Sequence, residues 1–205
     1  MRKKASMGID RARQVLAQEA ARIIVEQGIR DYRVAKTKAA DRLGMRERGA
    51  LPGNSEIEQA LGEHLQLFGR ESHANLLRAL RHAALSAMQL LAPFTPRLVG
   101  PVLHGTAAAD CVVSLHVFSD DLETVALTLD THHVPYRLFE TRLKSRRNRS
   151  ESYAGLRFKR EDSTVEATVF PIDGVRQAPI SPIDGKPMQR ADARALRSLL
   201  DGASP

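Results

Sequence analysis

The 205-residue sequence contains no tryptophan, and aromatic residues make up only 4% of it. This scarcity disfavours a protein that stacks many bases on a row of aromatic side chains. A single cysteine, Cys111, excludes an internal disulfide framework and any zinc site built from several cysteines. The sequence also lacks an apolar run of the roughly 18–20 residues that would span a bilayer. We therefore expect a cytoplasmic protein without a membrane partner.

Motifs of several enzyme classes are missing as well, because the sequence has no P-loop, no Gly-x-Gly-x-x-Gly and no Ser-His-Asp triad. The first feature that points to a function is the net charge, which is +7. Residues 1–50 carry 13 basic and 6 acidic side chains, a difference that equals the net charge of the whole chain. Residues 137–160 carry nine basic and two acidic side chains, and the remaining residues are acidic enough to offset this second excess. Two basic zones on an acidic remainder indicate an anionic partner such as a nucleotide or RNA.

Hydrophobic periodicity divides the chain into two parts. Apolar residues recur at helical spacing in four segments, at residues 10–27, 32–43, 55–68 and 72–91. Ser55 and Glu58 have the spacing of a capping box at the third helix. After Pro96 the pattern changes to short strands, at 98–99, 112–118, 136–143, 155–160 and 164–170, with helices at 121–130 and 190–200. We predict an α+β fold, with a helical N-terminal region over 1–70 and an α+β domain over 71–205.

The segment 99–118 carries the most informative spacing in the chain. A predicted strand ends at Gly100-Pro101, Gly105 follows, and a second strand begins near residue 112. This pattern resembles the signature of the DNA polymerase β-type nucleotidyltransferase superfamily, in which a strand ends in Gly-Ser and an Asp-x-Asp opens the next strand. The resemblance spans about residues 75–170 and implies a nucleotidyltransferase-like mixed or antiparallel sheet with flanking helices.

The chain resembles a degenerate member of that superfamily. Pro101 stands in place of the serine, Val112 and Ser114 stand in place of the two aspartates, and Glu166 suits the third carboxylate of a later hairpin. Family members clamp the reacting phosphate between two Mg²⁺ ions, which require carboxylate oxygens. Val112 offers no ligand and Ser114 only a neutral hydroxyl. The resemblance thus implies an inactive member without a cofactor, in which Ser114 and Glu166 are remnants of the catalytic site.

Two groups of residues are candidates for binding phosphate. The first is the glycine-rich turn, with Gly100, Gly105 and Thr106. The second is the basic segment, with Arg142, Lys144, Arg146, Arg147 and Arg149. Each cationic contact with a phosphate releases condensed counterions and so favours binding. The alternative for the basic segment is a charged hairpin that keeps an edge strand from aggregating.

A rearranged metal site is the alternative to an inactive centre. Asp110 and Glu166 are its candidate ligands, and with Mg²⁺ they would make the chain an active transferase. Asp120 could take the place of Asp110, and His104 and His116 could be ligands together with Asp110. Helix capping explains at least one of the adjacent pair Asp120 and Asp121, and a lone histidine beside strands is usually a hydrogen-bonded structural group or a surface residue.

Three functions remain open from the sequence. The first is a non-catalytic nucleotidyltransferase-like protein that binds a nucleotide, RNA or a protein through the basic hairpin and the remnant cleft. The second is an active metal-dependent nucleotidyltransferase with a rearranged carboxylate site. The third is a nucleic-acid-binding adaptor that acts through the basic helical N-terminal region. The missing aspartates favour the first.

Overall fold

The computed structural model describes residues 2–29, 31–45, 51–68, 70–145 and 149–202. Within these ranges it contains seven α-helices and a five-stranded mixed sheet, which confirms the predicted α+β class. The chain divides into two compact units inside the helix Arg70–Leu90, after His73, and the first unit also takes in residues 108–110 and 182–184. That residues 1–70 and 71–205 are separate domains stays a prediction. Across the described ranges, no helix is both long enough and apolar enough to cross a membrane.

The first unit is built on three helices: α1 (Arg2–Gln27), α2 (Tyr32–Arg42) and α3 (Asn54–Phe68). Helix α1 packs against both of the others. Its apolar stripe is buried together with short side chains of α2, among them Ala35 and Ala39. Small residues at such a contact allow helix backbones to approach closely. The three predicted helices are therefore confirmed, and α1 begins earlier than the periodicity indicated.

The capping-box prediction for α3 is wrong. The helix begins at Asn54, and the carboxylate of Glu56 accepts a hydrogen bond from the backbone N–H of Gly53 at 2.6 Å. That bond, followed by a hydrogen bond from Arg13, lowers the pKa of Glu56. Glu56 therefore makes the capping hydrogen bond that was predicted for Glu58, two residues later in the chain.

Ion pairs within the first unit occupy part of its basic charge. Arg22 and Arg42 both lie within 4 Å of Glu19 and Glu26, at distances of 2.9 to 3.8 Å. Arg13 pairs with Glu56 at 2.7 Å. These arginine side chains are 39% to 51% exposed, so each pair adds little to stability. Their consequence is that several charges of the first basic zone are already matched.

The second unit contains the sheet. Its helices are α4 (Arg70–Leu90, from Ala74 onward), α5 (Pro101–His104), α6 (Leu122–Thr131) and α7 (Ala193–Leu200). Its strands are β1 (Arg97–Val99), β2 (Val113–Phe118), β3 (Tyr136–Lys144), β4 (Ser150–Arg160) and β5 (Ser163–Phe170). Every predicted strand is confirmed, and β4 is five residues longer at its start than the pattern indicated.

The strands lie in the order β1-β2-β5-β4-β3. Strands β2 and β5 are parallel, and the other neighbours are antiparallel. Helices α4, α6 and α7 cover one face, where the side chains of alternate strand residues form the core: Leu98, Val113, Leu115, Val117, Leu156, Phe158, Val165 and Ala167. These side chains are at most 4% exposed, which makes this face the main source of hydrophobic stabilisation.

The intervening residues form the opposite face, which we call the polar face. Cross-strand pairing aligns them in rows. The first row contains Val99, Ser114, Glu166, Arg157 and Arg137. The second row contains Arg97, His116, Thr168, Gly155 and Phe139. The third row contains Phe118, Phe170, Tyr153 and Thr141.

Gly155 is required by the packing of the second row. A Cβ atom at this position would lie 2.5 Å from Cζ of Phe139 and 2.6 Å from the carbonyl oxygen of Ala167. The backbone oxygen cannot move aside without disturbing the β4–β5 ladder. Only glycine therefore fits beneath the Phe139 ring.

We predict that Gly155→Ala lowers the free energy of unfolding by about 1–3 kcal/mol, because the added methyl group overpacks the site. Urea unfolding measures the change. The control is Ser152→Ala, an exposed position on the same strand, which we expect to change stability by less than about 0.5 kcal/mol. Equal stabilities of the two variants would contradict the packing argument.

Candidate functional site

The first row of the polar face brings together the two residues that the resemblance singled out. Ser114 on β2 is the direct neighbour of Glu166 on β5, and Glu166 is opposite Arg157 on β4. The parallel β2–β5 pair produces this contact, although the two residues are 52 positions apart in the sequence. The candidate catalytic residues therefore lie side by side on one surface.

Glu166 is held by an arginine. Both Nη2 and Nε of Arg157 contact its Oε1, at 2.6 and 2.9 Å. The Glu166 side chain is 23% exposed and that of Arg157 is 51% exposed, so the pair is only partly shielded from solvent. A cation binding at Glu166 would have to displace or share this guanidinium. The negative charge of Glu166 is thus matched by Arg157.

Asp120 and His104 are further candidate metal ligands in the second unit, whereas Asp110 is grouped with the first unit. Asp120 accepts a hydrogen bond from the backbone N–H of Ile172 at 3.0 Å, and Asp121 caps α6 as predicted. His104 is an exposed residue at the end of α5. Among the described residues, no three His, Cys, Asp or Glu side chains form a group that would hold a metal.

The glycine-rich turn is folded onto itself. Gly100 has φ +75° and ψ −157°, a conformation open only to glycine, and it leads into the single-turn helix α5. The backbone N–H groups of Leu103 and His104 bind the Gly100 oxygen, and those of Gly105 and Thr106 bind the Pro101 oxygen. These four amides are consequently engaged within the turn. Thr106 is 9% exposed.

Strand alternation divides the basic segment. Arg137 on β3, and Arg157 and Lys159 on β4, lie on the polar face. Arg142 and Lys144 differ from Arg137 by an odd number of residues, and they lie on the opposite face of the same strand. Arg149 is exposed just before β4, while Arg146 and Arg147 lie outside the described residues. The basic charges of residues 137–160 are thus divided between the two sides of the sheet, and Arg142 and Lys144 of the predicted phosphate site share the side opposite to the polar face.

Phe139 adds an aromatic ring to the basic part of the polar face. Its ring reaches across the sheet above Gly155, and Cζ of Arg157 lies 5.6 Å from the ring centroid. Phe139 is half-buried, and Arg137 is two residues away on the same strand. Sequence reasoning missed this arrangement, and the signal that would have found it is the glycine in the middle of β4.

A second cluster on the polar face centres on His116 and Arg190. Nε of Arg190 donates to Nδ1 of His116 at 3.1 Å, and Nη1 donates to the Gly174 carbonyl at 2.8 Å. The guanidinium lies over the rings of Phe118 and Phe170, with Cζ 5.0 and 5.3 Å from their centroids. Arg190 therefore fastens the C-terminal segment to the sheet. The prediction of a hydrogen-bonded structural role for His116 is confirmed.

Burial controls the charges of this cluster. Burial, followed by the charge of Arg190, lowers the pKa of His116 to about 3. Burial, followed by the nearby charge of Arg97, lowers the pKa of Arg190 to about 10. At neutral pH the histidine is accordingly neutral and the arginine remains charged. Since Nδ1 of His116 accepts the hydrogen bond, it carries no proton.

A cavity of about 450 Å³ lies beside this cluster, at the ends of β4 and β5. Its lining includes Glu151 and Asp173 together with the rings of Tyr153 and Phe170. Burial, followed by a hydrogen bond to Glu151, raises the pKa of Tyr153 to about 12, so its hydroxyl is protonated at neutral pH. Two carboxylates make this cavity unfavourable for a phosphate group.

The chain matches no protein-family model, no curated protein and no solved structure.

We predict that the second unit loses stability as the pH falls from about 6.5 towards 3. Unfolded His116 binds a proton near its ordinary pKa of 6.5, whereas folded His116 does so only near 3. In this window the unfolded state holds the extra proton, and the free energy of unfolding falls by up to about 1.4 kcal/mol per pH unit.

Urea unfolding at several pH values tests this expectation. His116→Asn keeps a hydrogen-bond acceptor for Arg190 but does not titrate, so its stability should change less steeply with pH than that of the wild type. His132→Asn, an exposed position, is the control and should retain the wild-type slope. Identical slopes for wild type and His116→Asn would show that His116 does not control the pH dependence.

Proposed function

We propose that the second unit is a non-catalytic module that binds the phosphate groups of a nucleotide or RNA on its polar face, without a metal ion. The observation that carries this proposal is the contact of Arg157 with Glu166 at 2.6 Å. It places a guanidinium on Glu166, the direct neighbour of Ser114, where the family that the chain resembles would have a carboxylate-bound Mg²⁺. Arginine is well suited to phosphate because its fork of N–H donors matches phosphate oxygens.

The neighbouring charges support this proposal. Arg137 and Lys159 are exposed on the same face as Arg157, and the carboxylate of Glu166 is matched by Arg157. A phosphate approaching the first row would therefore meet a net positive surface. In the first unit, by contrast, Arg13, Arg22 and Arg42 are paired with acidic side chains. These pairs weaken the alternative of an adaptor that acts through the N-terminal helices.

The first test uses three double variants that each remove two positive charges. Arg137→Gln with Lys159→Gln alters the polar face, Arg142→Gln with Lys144→Gln alters the opposite face, and Arg33→Gln with Lys38→Gln alters α2. Binding of a labelled RNA of about ten nucleotides is followed by fluorescence anisotropy at several salt concentrations.

We expect only the polar-face variant to bind more weakly, and its plot of log K against log salt to become shallower by about 1.4, because two phosphate contacts are lost. An equal loss in the Arg142 and Lys144 variant would transfer the site to the opposite face. A loss confined to the α2 variant would support the N-terminal adaptor instead.

The second test separates binding from catalysis. We expect wild-type binding to be unchanged by EDTA, because Arg157 and not a metal ion neutralises Glu166. With Mg²⁺ and labelled nucleoside triphosphates, we expect no transfer of label to protein, RNA or small acceptors. Transfer that disappears in Glu166→Ala would overturn the proposal and establish the active transferase.

A further inference from the structure

We propose that Phe139 is a stacking platform for an unpaired base, so that the polar face takes a single-stranded nucleic acid. This inference rests on the proposed function, because it assumes that the same face binds phosphate. It adds that the ligand is recognised through a base as well as through its backbone.

The Phe139 ring lies close against the backbone of Gly155. The ring atoms Cζ and Cε1 lie 2.5 and 2.6 Å from the point where a Cβ at Gly155 would be. The ring thus leans across the sheet onto the glycine backbone and does not stand upright from β3. The sheet therefore supports the ring from below, and Phe139 remains partly exposed.

Positively charged side chains lie around the ring. Arg157 lies 5.6 Å from the ring centroid, which exceeds the roughly 3.5–4 Å separation of stacked carbon atoms. The guanidinium thus lies over the ring but is not in stacking contact with it, so a base that stacks on Phe139 has to displace it from this position. Arg137 and Lys159 supply further positive charge on the same face. Bases stack on an aromatic ring while cations nearby follow the phosphates, and this combination is typical of single-strand binding surfaces.

A ring on the protein surface can accept only an unpaired base. In a duplex the faces of the bases are stacked on one another and are not accessible to Phe139. Only an unpaired base exposes a face that can lie on a protein ring. The charge of the surface also disfavours an apolar partner. A single strand satisfies both the ring and the basic side chains.

The experiment compares Phe139→Leu with Phe139→Trp and with Leu138→Ala. Leucine keeps apolar bulk over Gly155 but removes the stacking surface, and tryptophan enlarges it. Leu138 is the adjacent residue on the opposite face and is 66% exposed. Each protein is titrated with oligouridylate, with the same length of duplex RNA, and with inorganic polyphosphate. Circular dichroism and thermal unfolding verify that the variants are folded.

We expect Phe139→Leu to bind oligouridylate at least about five-fold more weakly than the wild type. Its affinity for polyphosphate should be unchanged, and Phe139→Trp and Leu138→Ala should bind oligouridylate at least as well as the wild type. Equal losses for oligouridylate and polyphosphate would overturn the stacking role, and so would duplex RNA that binds as tightly as the single strand. In both cases the phosphate-binding proposal would survive. Failure of the wild type to bind any of the three probes would overturn both proposals.

Discussion

The parallel register between β2 and β5 determines which side chains meet on the two faces of the sheet. It places Val113 next to Val165 on the helix-covered face and Ser114 next to Glu166 on the polar face. A shift by one residue would exchange these faces and expose the apolar set to solvent. The burial of the core therefore holds the polar face in its observed arrangement. Stability and the candidate site follow from the same pairing.

The Arg157–Glu166 pair changes the chemistry of the first row more than its stability. Both side chains reach solvent, so the pair contributes little to folding. Its effect is that the carboxylate of Glu166 is matched by a guanidinium. Neither Val112 nor Ser114 adds a carboxylate.

The elements were predictable because their signals are local. Glycine and proline end the helices, and the apolar spacing changes from helical to alternating after Pro96. All five strands and six of the seven described helices were therefore predicted, and the single-turn helix α5 was not. The contacts of the site were less accessible. The neighbours of Glu166 depend on strand order, which no local pattern contains.

Two features show the limit most clearly. Arg190 contacts His116 across 74 residues of sequence, and the sequence placed it at the start of the helix predicted over 190–200, whereas α7 begins at Ala193. The basic residues of β3 form one group in the sequence, but the period of two sends Arg137 and Arg142 to opposite faces. The charge count therefore describes the composition of this segment but not the face of the sheet on which each side chain lies. The low aromatic content likewise gave no indication that Phe118, Phe139, Tyr153 and Phe170 all lie on the polar face.

The segment that carries Arg190 also protects the sheet from unwanted pairing. Just beyond Arg190, Ala191 exchanges two backbone hydrogen bonds with Leu98 of β1, at 2.8 and 2.9 Å. Strand β1 has only three residues, and this bridge uses backbone groups that would otherwise be open to a strand from another molecule. At the other end of the sheet, β3 carries charged side chains that discourage such pairing. The C-terminal segment therefore covers the β1 edge of the sheet, and charged side chains protect the β3 edge. Loss of the C-terminal segment would expose β1, and we expect aggregation to begin on that strand.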